Sequence, residues 1–214
     1  MGVDIYLYLF NPQPYEQLVL PAYERFRHHG DLSALVSLLK DAIPKLESEG
    51  HGEFGHSKAG CEESIAILTG KKYYSSQARE PKEGDVTTDE DIRIFVDFSV
   101  APDLVDIFCI PRNLGVNPKQ NMSGPLVQYL YSQSSWMEDC FMSAEHVTGP
   151  KLEIQFGESS LFFTRAELES FDKELSRINR PTDEEVLNDG FDNLRTLVHK
   201  AATDPKLKLL YAYI

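Results

Sequence analysis

Cysteine is scarce in this 214-residue chain: Cys61, Cys109 and Cys140 stand far apart, with no CxxC pair. An odd count at such spacing excludes a disulfide framework and points to a reducing compartment. The chain also lacks any apolar run near the roughly 20 residues that span a bilayer. Its opening, MGVDIYLYLF, has Asp4 where a signal peptide needs basic residues, and Gly2 is followed by Tyr6 where myristoylation needs Ser or Thr. These absences predict a cytoplasmic protein with no membrane partner. Basic residues are in short supply too: 21 Lys+Arg face 34 Asp+Glu, a net charge of −13. Tight nucleic-acid binding depends on Lys and Arg displacing counterions, and Lys71-Lys72 and Lys206/Lys208 are only pairs. Nucleic acid is therefore disfavoured as a partner. A basic protein is permitted, because complementary fields speed association.

Catalytic fingerprints are missing as well. There is no GxGxxG after a strand, no GxxxxGK[ST], no HExxH, no GxSxG and no EF-hand loop. The readily recognised nucleotide, zinc-protease and serine-hydrolase classes are excluded, and the balance leans away from an enzyme. No motif calls for a cofactor or a resident metal.

What is present is an ordinary globular composition, 42% hydrophobic and 26% charged, with 12 Phe and 10 Tyr spread along the chain. Val3, Ile5, Leu7 and Leu9 alternate with polar or aromatic residues, a period of two that predicts an internal first strand. Asn11-Pro12 opens a helix that Pro21 should kink and that His28-His29-Gly30 closes. Asp31 caps a second helix, with Leu32, Leu35, Val36, Leu39 and Ile43 on one face. A glycine-rich loop over 49–60 leads to a short helix from Cys61 to Thr69, and Lys71–Ser76 is expected as a short strand. Residues 77–89 are expected as a mobile acidic loop.

Residues 91–100 fit both periods. A capping box of Thr87 and Glu90, with acids in the first turn, decides for helix. Pro102 starts another helix, 111–124 is a loop, and Pro125 opens a helix towards Met142, with a break at Ser132, Ser134 and Ser135. Lys151–Phe156 alternates as a half-exposed strand and Leu161–Phe163 returns from it. Thr164/Glu167 and Thr182/Glu185 form capping boxes ahead of two further helices, and Leu207–Ile214 is a last strand. Apolar termini place the first and last strands in one sheet. The fold class is α+β: a single domain, 1–214, with a small mixed sheet containing both terminal strands and covered by several helices.

The candidate catalytic cluster is His51, His56 and Cys61, beside Glu62 and Glu63. Imidazole, thiolate and carboxylate suit a transition metal, and a cysteine at a helix N-terminus can be a lowered-pKa nucleophile. The spacings match no standard zinc pattern, and the two glutamates oppose a thiolate. Asp97, Asp103 and Asp106 are acids among apolar residues, which more often cap helices than catalyse. Candidate binding residues are Tyr73 and Tyr74, next to the acidic loop, and Tyr131 and Trp136, because interfaces favour Tyr and Trp. At helical spacing such a stripe also fits a core.

The runs LFFTRAELESFDKEL and FDNLRTLVHKAATDPKLKLLYAYI resemble the close of the YfbM-type family of uncharacterised bacterial proteins. A capped helix, a second helix and a final apolar strand carry the likeness, which covers about a third of the chain. It implies an α+β fold and a bacterial origin, and it supplies no catalytic residues. The functional expectation is a cytoplasmic interaction protein, in one version an immunity or antitoxin-like acidic partner. The alternative is a metal-dependent or cysteine-based hydrolase using His51, His56 and Cys61.

Overall fold

In a computed structural model, the structure describes residues 5–49, 57–77, 82, 84–156, 159–181 and 185–213. It is an α+β structure whose sheet contains both terminal strands, as expected. Its contacts group the chain into two compact units, 1–12 with 110–214, and 13–109.

The first unit contains the sheet. Strands β1 (Ile5–Phe10), β2 (Lys119–Asn121), β3 (Ser159–Phe162) and β4 (Lys208–Tyr213) lie in the order β2-β1-β4-β3. Every described pairing is antiparallel, so the expected mixed sheet is an antiparallel one. β1 is internal, with Leu7 opposite Tyr211 and Leu9 opposite Leu209. Both of its faces are buried. Leu7, Leu9, Leu209 and Tyr211 join the main core on one face. On the other, the Tyr8 ring meets Phe156 edge-on at 5.2 Å and Phe10 meets Phe162 at 4.9 Å.

The helices that fill this core are α7 (Gly124–Gln133), α8 (Ser135–Met142), α9 (Arg165–Arg177) and α10 (Glu185–Thr203). Extended Ser134 separates α7 from α8, the break its serines predict. Thr164 caps α9 in a full capping box with Glu167, again as expected. Thr182 lies outside the described residues. The expected strand at 151–156 is reduced to one bridge, Lys151 with Leu161, although Leu152, Ile154 and Phe156 are buried and their neighbours exposed. The alternation thus reports facing more than pairing, which is limited here to the bonds from Leu152 N–H to the Ser160 carbonyl and from Phe162 N–H to the Pro150 carbonyl. Gly149 lies so close to β3 that a Cβ there would overlap the Phe162 carbonyl. β2 sits inside the expected 111–124 loop, and its Lys-Gln-Asn composition gives no strand signal.

Among its described residues, the regular structure of the second unit is all helix. Pro12–Pro14 (α1) leads into a π turn, Tyr15–Val19, then α2 (Leu20–His29), which ends at left-handed Gly30 with φ 67°. α3 (Ser33–Glu49) starts where the Asp31 carboxylate accepts from Ser33 N–H, and packs on α4 (Lys58–Leu68). Its buried stripe is Leu35, Leu38, Leu39, Ala42 and Leu46, rotated from the expected face because Val36 and Ile43 are only half-buried. Residues 89–109 are helix, as decided: α5 (Asp89–Phe95), a second π turn (Val96–Val100) and α6 (Ala101–Cys109). The capping box is Thr88 with Asp91, one residue later than expected. Lys71–Ser76 is turn and coil where a strand was expected, and of the acidic loop 78–81 and 83 lie outside the described residues.

Candidate functional site

Of the catalytic cluster, His51 and His56 lie outside the described residues. Cys61 is one turn into α4, whose N-cap is Ser57, accepting from Gly60 N–H. It is 5% exposed. Burial chiefly, then the charges of Asp103 and Glu62, push its thiol up from the ordinary range. That direction is opposite to the lowered pKa a thiolate nucleophile needs. Burial also raises Cys109 and Cys140. Among the described residues, no group of three His, Cys, Asp or Glu side chains is placed to hold a metal ion. Of the three aspartates, Asp106 is buried in α6. Asp97, on the second π turn, accepts from the Tyr23 hydroxyl at 2.9 Å and from Arg27 at 2.6 Å. It ties α2 to the π turn.

Tyr131 and Trp136 both pack on the core of the sheet unit. Trp136 is stacked on His146, with centroids 4.6 Å apart and rings 4° from parallel, and meets Phe171 at 5.3 Å. Burial raises the Tyr131 phenol. Both are half-buried rims of a core, the arrangement their helical spacing also fits.

Tyr73 and Tyr74 belong to the helical unit, and here the geometry is more suggestive. The loop that carries them is fastened at both ends. Lys72 pairs with Glu63 of α4, while Ser76 donates through N–H and Oγ to Asp91 of α5, at 2.9 and 2.8 Å. Between these ties, Tyr74 N–H donates to Thr87 Oγ1 at 2.9 Å and its ring lies 4.6 Å from Phe95. Hydrogen bonds from Ser76 and Thr88 hold the Asp91 carboxyl well below the usual range, so it is ionised. Tyr74 is thereby fixed, with Tyr73 next to it in the chain, in a loop tied to α4 and α5, and Glu62 and Glu63 of the one and Asp89 and Glu90 of the other are exposed. Residues 13–109 as a whole carry 18 acids and 10 bases, or −8 of the chain's −13.

One group escaped the sequence reading. His199 Nδ1 lies 3.1 and 3.3 Å from the two Asp172 oxygens, beside a groove between α9 and α10. A signal existed: Asp172/Ser176 and Arg195/His199 are each four apart, which puts each pair on one helix face. Nothing in sequence brings the two faces together.

No family model, curated protein or solved structure matches the chain. No helix among the described residues is long and apolar enough to cross a membrane.

Proposed function

We propose that the chain is a protein-recognition module whose acidic helical unit engages a basic protein, with Tyr73 and Tyr74 at the centre of the contact. The observation that carries this reading is the doubly fastened tyrosine loop, tied to Glu63 in the middle of α4 and to Asp91 in the acidic first turn of α5. Rigid aromatics lose little entropy on binding, and a charged surround speeds encounter with a partner of opposite sign. An immunity or antitoxin-like role, covering a basic partner, is one concrete form. The resemblance to the YfbM-type family is kept as a proposal about ancestry and bears on no residue. The hydrolase alternative gains no support from Cys61, which is buried with its thiol raised.

The test is capture of a partner from the native host by the intact chain. The expected partner is basic, binds at low salt, is released as salt screens the charges, and is lost with Tyr73→Ala/Tyr74→Ala or with Asp89→Asn/Glu90→Gln. A partner held equally by both variants and indifferent to salt overturns the reading. So does metal-dependent hydrolysis that tracks His51 and His56.

A further inference from the structure

We infer that the groove between α9 and α10 binds a small molecule carrying an oxyanion, a phosphate or carboxylate group, together with hydroxyl donors. The inference stands apart from the acidic face and does not depend on it.

The groove is open to solvent along its length and has a volume of about 500 Å³, room for a small ligand. α10 lines it with Arg195 and His199, one turn apart, and α9 with Asp172 and Ser176. Asp172 grips His199 through Nδ1 at 3.1 Å, which fixes the ring and leaves Nε2, on its far side, to a ligand. In its protonated form the imidazole has both ring nitrogens as donors. Arg195 has no carboxylate within ion-pair distance among the described residues. Its guanidinium lies over the Phe191 ring at 5.7 Å. In a chain with 34 acids, this places a guanidinium and an imidazole one turn apart along the same groove, with Nε2 of the ring uncommitted to Asp172. Asp172 would repel an anion close to it, so the oxyanion sits towards Arg195 and Nε2.

The hydroxyls narrow the ligand further. Ser176 Oγ donates to the Lys173 carbonyl at 2.7 Å, and Thr196 Oγ1 donates to the Asp192 carbonyl at 2.8 Å. Their protons are spent within their own helices, so they offer a ligand only lone pairs. The fitting molecule presents negative oxygens to Arg195 and His199 and hydroxyl hydrogens to Ser176 and Thr196, as a polyol phosphate or a hydroxy acid does.

The experiment follows the His199 ring signals by NMR at one mildly acidic pH, adding inorganic phosphate, acetate or glycerol phosphate to the intact chain. The expected result is a saturable shift with phosphate or acetate, and whichever saturates first identifies the oxyanion. Glycerol phosphate should bind more tightly than inorganic phosphate. Arg195→Gln should weaken binding by roughly tenfold or more, the scale of a lost charge-assisted contact. Ser176→Ala should remove only the advantage of glycerol phosphate. Backbone amide spectra verify that both variants are folded. Shifts that do not saturate in the millimolar range, or that persist unchanged in Arg195→Gln, overturn the proposal and leave His199–Asp172 as a surface pair.

Discussion

The two units treat proline in opposite ways. In the sheet unit Pro125 stands in the first turn of α7, where its missing N–H costs nothing. In the helical unit Pro21 and Pro102 each come two residues after a five-residue π turn. At both sites the residue before proline donates five back, Leu20 to Tyr15 and Ala101 to Val96. The wider turn is one way a helix accommodates a residue that cannot donate and crowds the carbonyl four back. It is not obligatory, since Pro44 sits inside α3 without one. At the second site the π turn also has a consequence for side chains. Asp97 meets Tyr23 and Arg27 there, and Phe98 is left 61% exposed. Phe98 is displayed, whereas Phe141, Phe163, Phe171 and Phe191 of the sheet unit are buried.

The largest effects should fall on the sheet unit. Phe171 is fully buried against Trp136, Phe141 and Phe163, at 5.3, 5.8 and 5.5 Å between rings. Phe171→Ala should cost about 3–5 kcal/mol by denaturant unfolding, from lost transfer energy and the cavity left behind. Phe98→Ala should stay within about 0.5 kcal/mol, as exposed positions do. Equal losses would erase the contrast between packed and displayed aromatics.

Next in size are the two capping boxes, one in each unit. Thr164→Ala and Thr88→Ala should each cost about 1 kcal/mol. Thr88 accepts from Asp91 N–H and donates to the Asp91 carboxylate, which also holds the tyrosine loop through Ser76. Thr88→Ala should therefore loosen residues 72–76 to hydrogen exchange, whereas Thr164→Ala should affect mainly the start of α9. Unchanged exchange at 72–76 would show that the loop holds without the cap.

The sheet and its helices were legible wherever burial imposed a clean period. Leu7 and Leu9 alternate with Tyr8 and Phe10, and Leu194, Leu197 and Val198 mark one face of α10, so β1 and that helix could be read directly. The Lys119–Asn121 strand could not, because pairing with β1 supplies its order and its residues have no strand preference. For residues 91–100 the acids of the first turn outweighed a convincing alternation, which the π turn helps to explain: widening the helix shifts which residues fall inward. Tyr73 and Tyr74 were picked out as residue types, but the ties of their loop, Lys72 to Glu63 and Ser76 to Asp91, are tertiary. Asp172 and His199 are 27 residues apart on different helices, and only the α9–α10 packing joins them.

The smallest effect on stability carries the most information about the π turn. Burial chiefly, then the hydrogen bond to Asp97 and its charge, push the Tyr23 phenol up to about 12, while Arg27 opposes them. The folded state therefore holds this proton more tightly than the unfolded chain, whose tyrosines titrate near the ordinary value of 10.0. The resulting stabilisation is complete below the unfolded value and is lost as pH rises through the folded one. Asp97→Asn removes the negative charge but keeps an oxygen that can accept from the hydroxyl. Phenolate absorbance should then place the Tyr23 titration lower, and still above that of a free tyrosine because burial remains. If the titration does not move, burial alone sets it, and the meeting of Asp97 with Tyr23 has no energetic weight. If it falls all the way to the ordinary value, the π turn positions a charge that governs α2, and the helical unit owes its local order to that contact more than to packing.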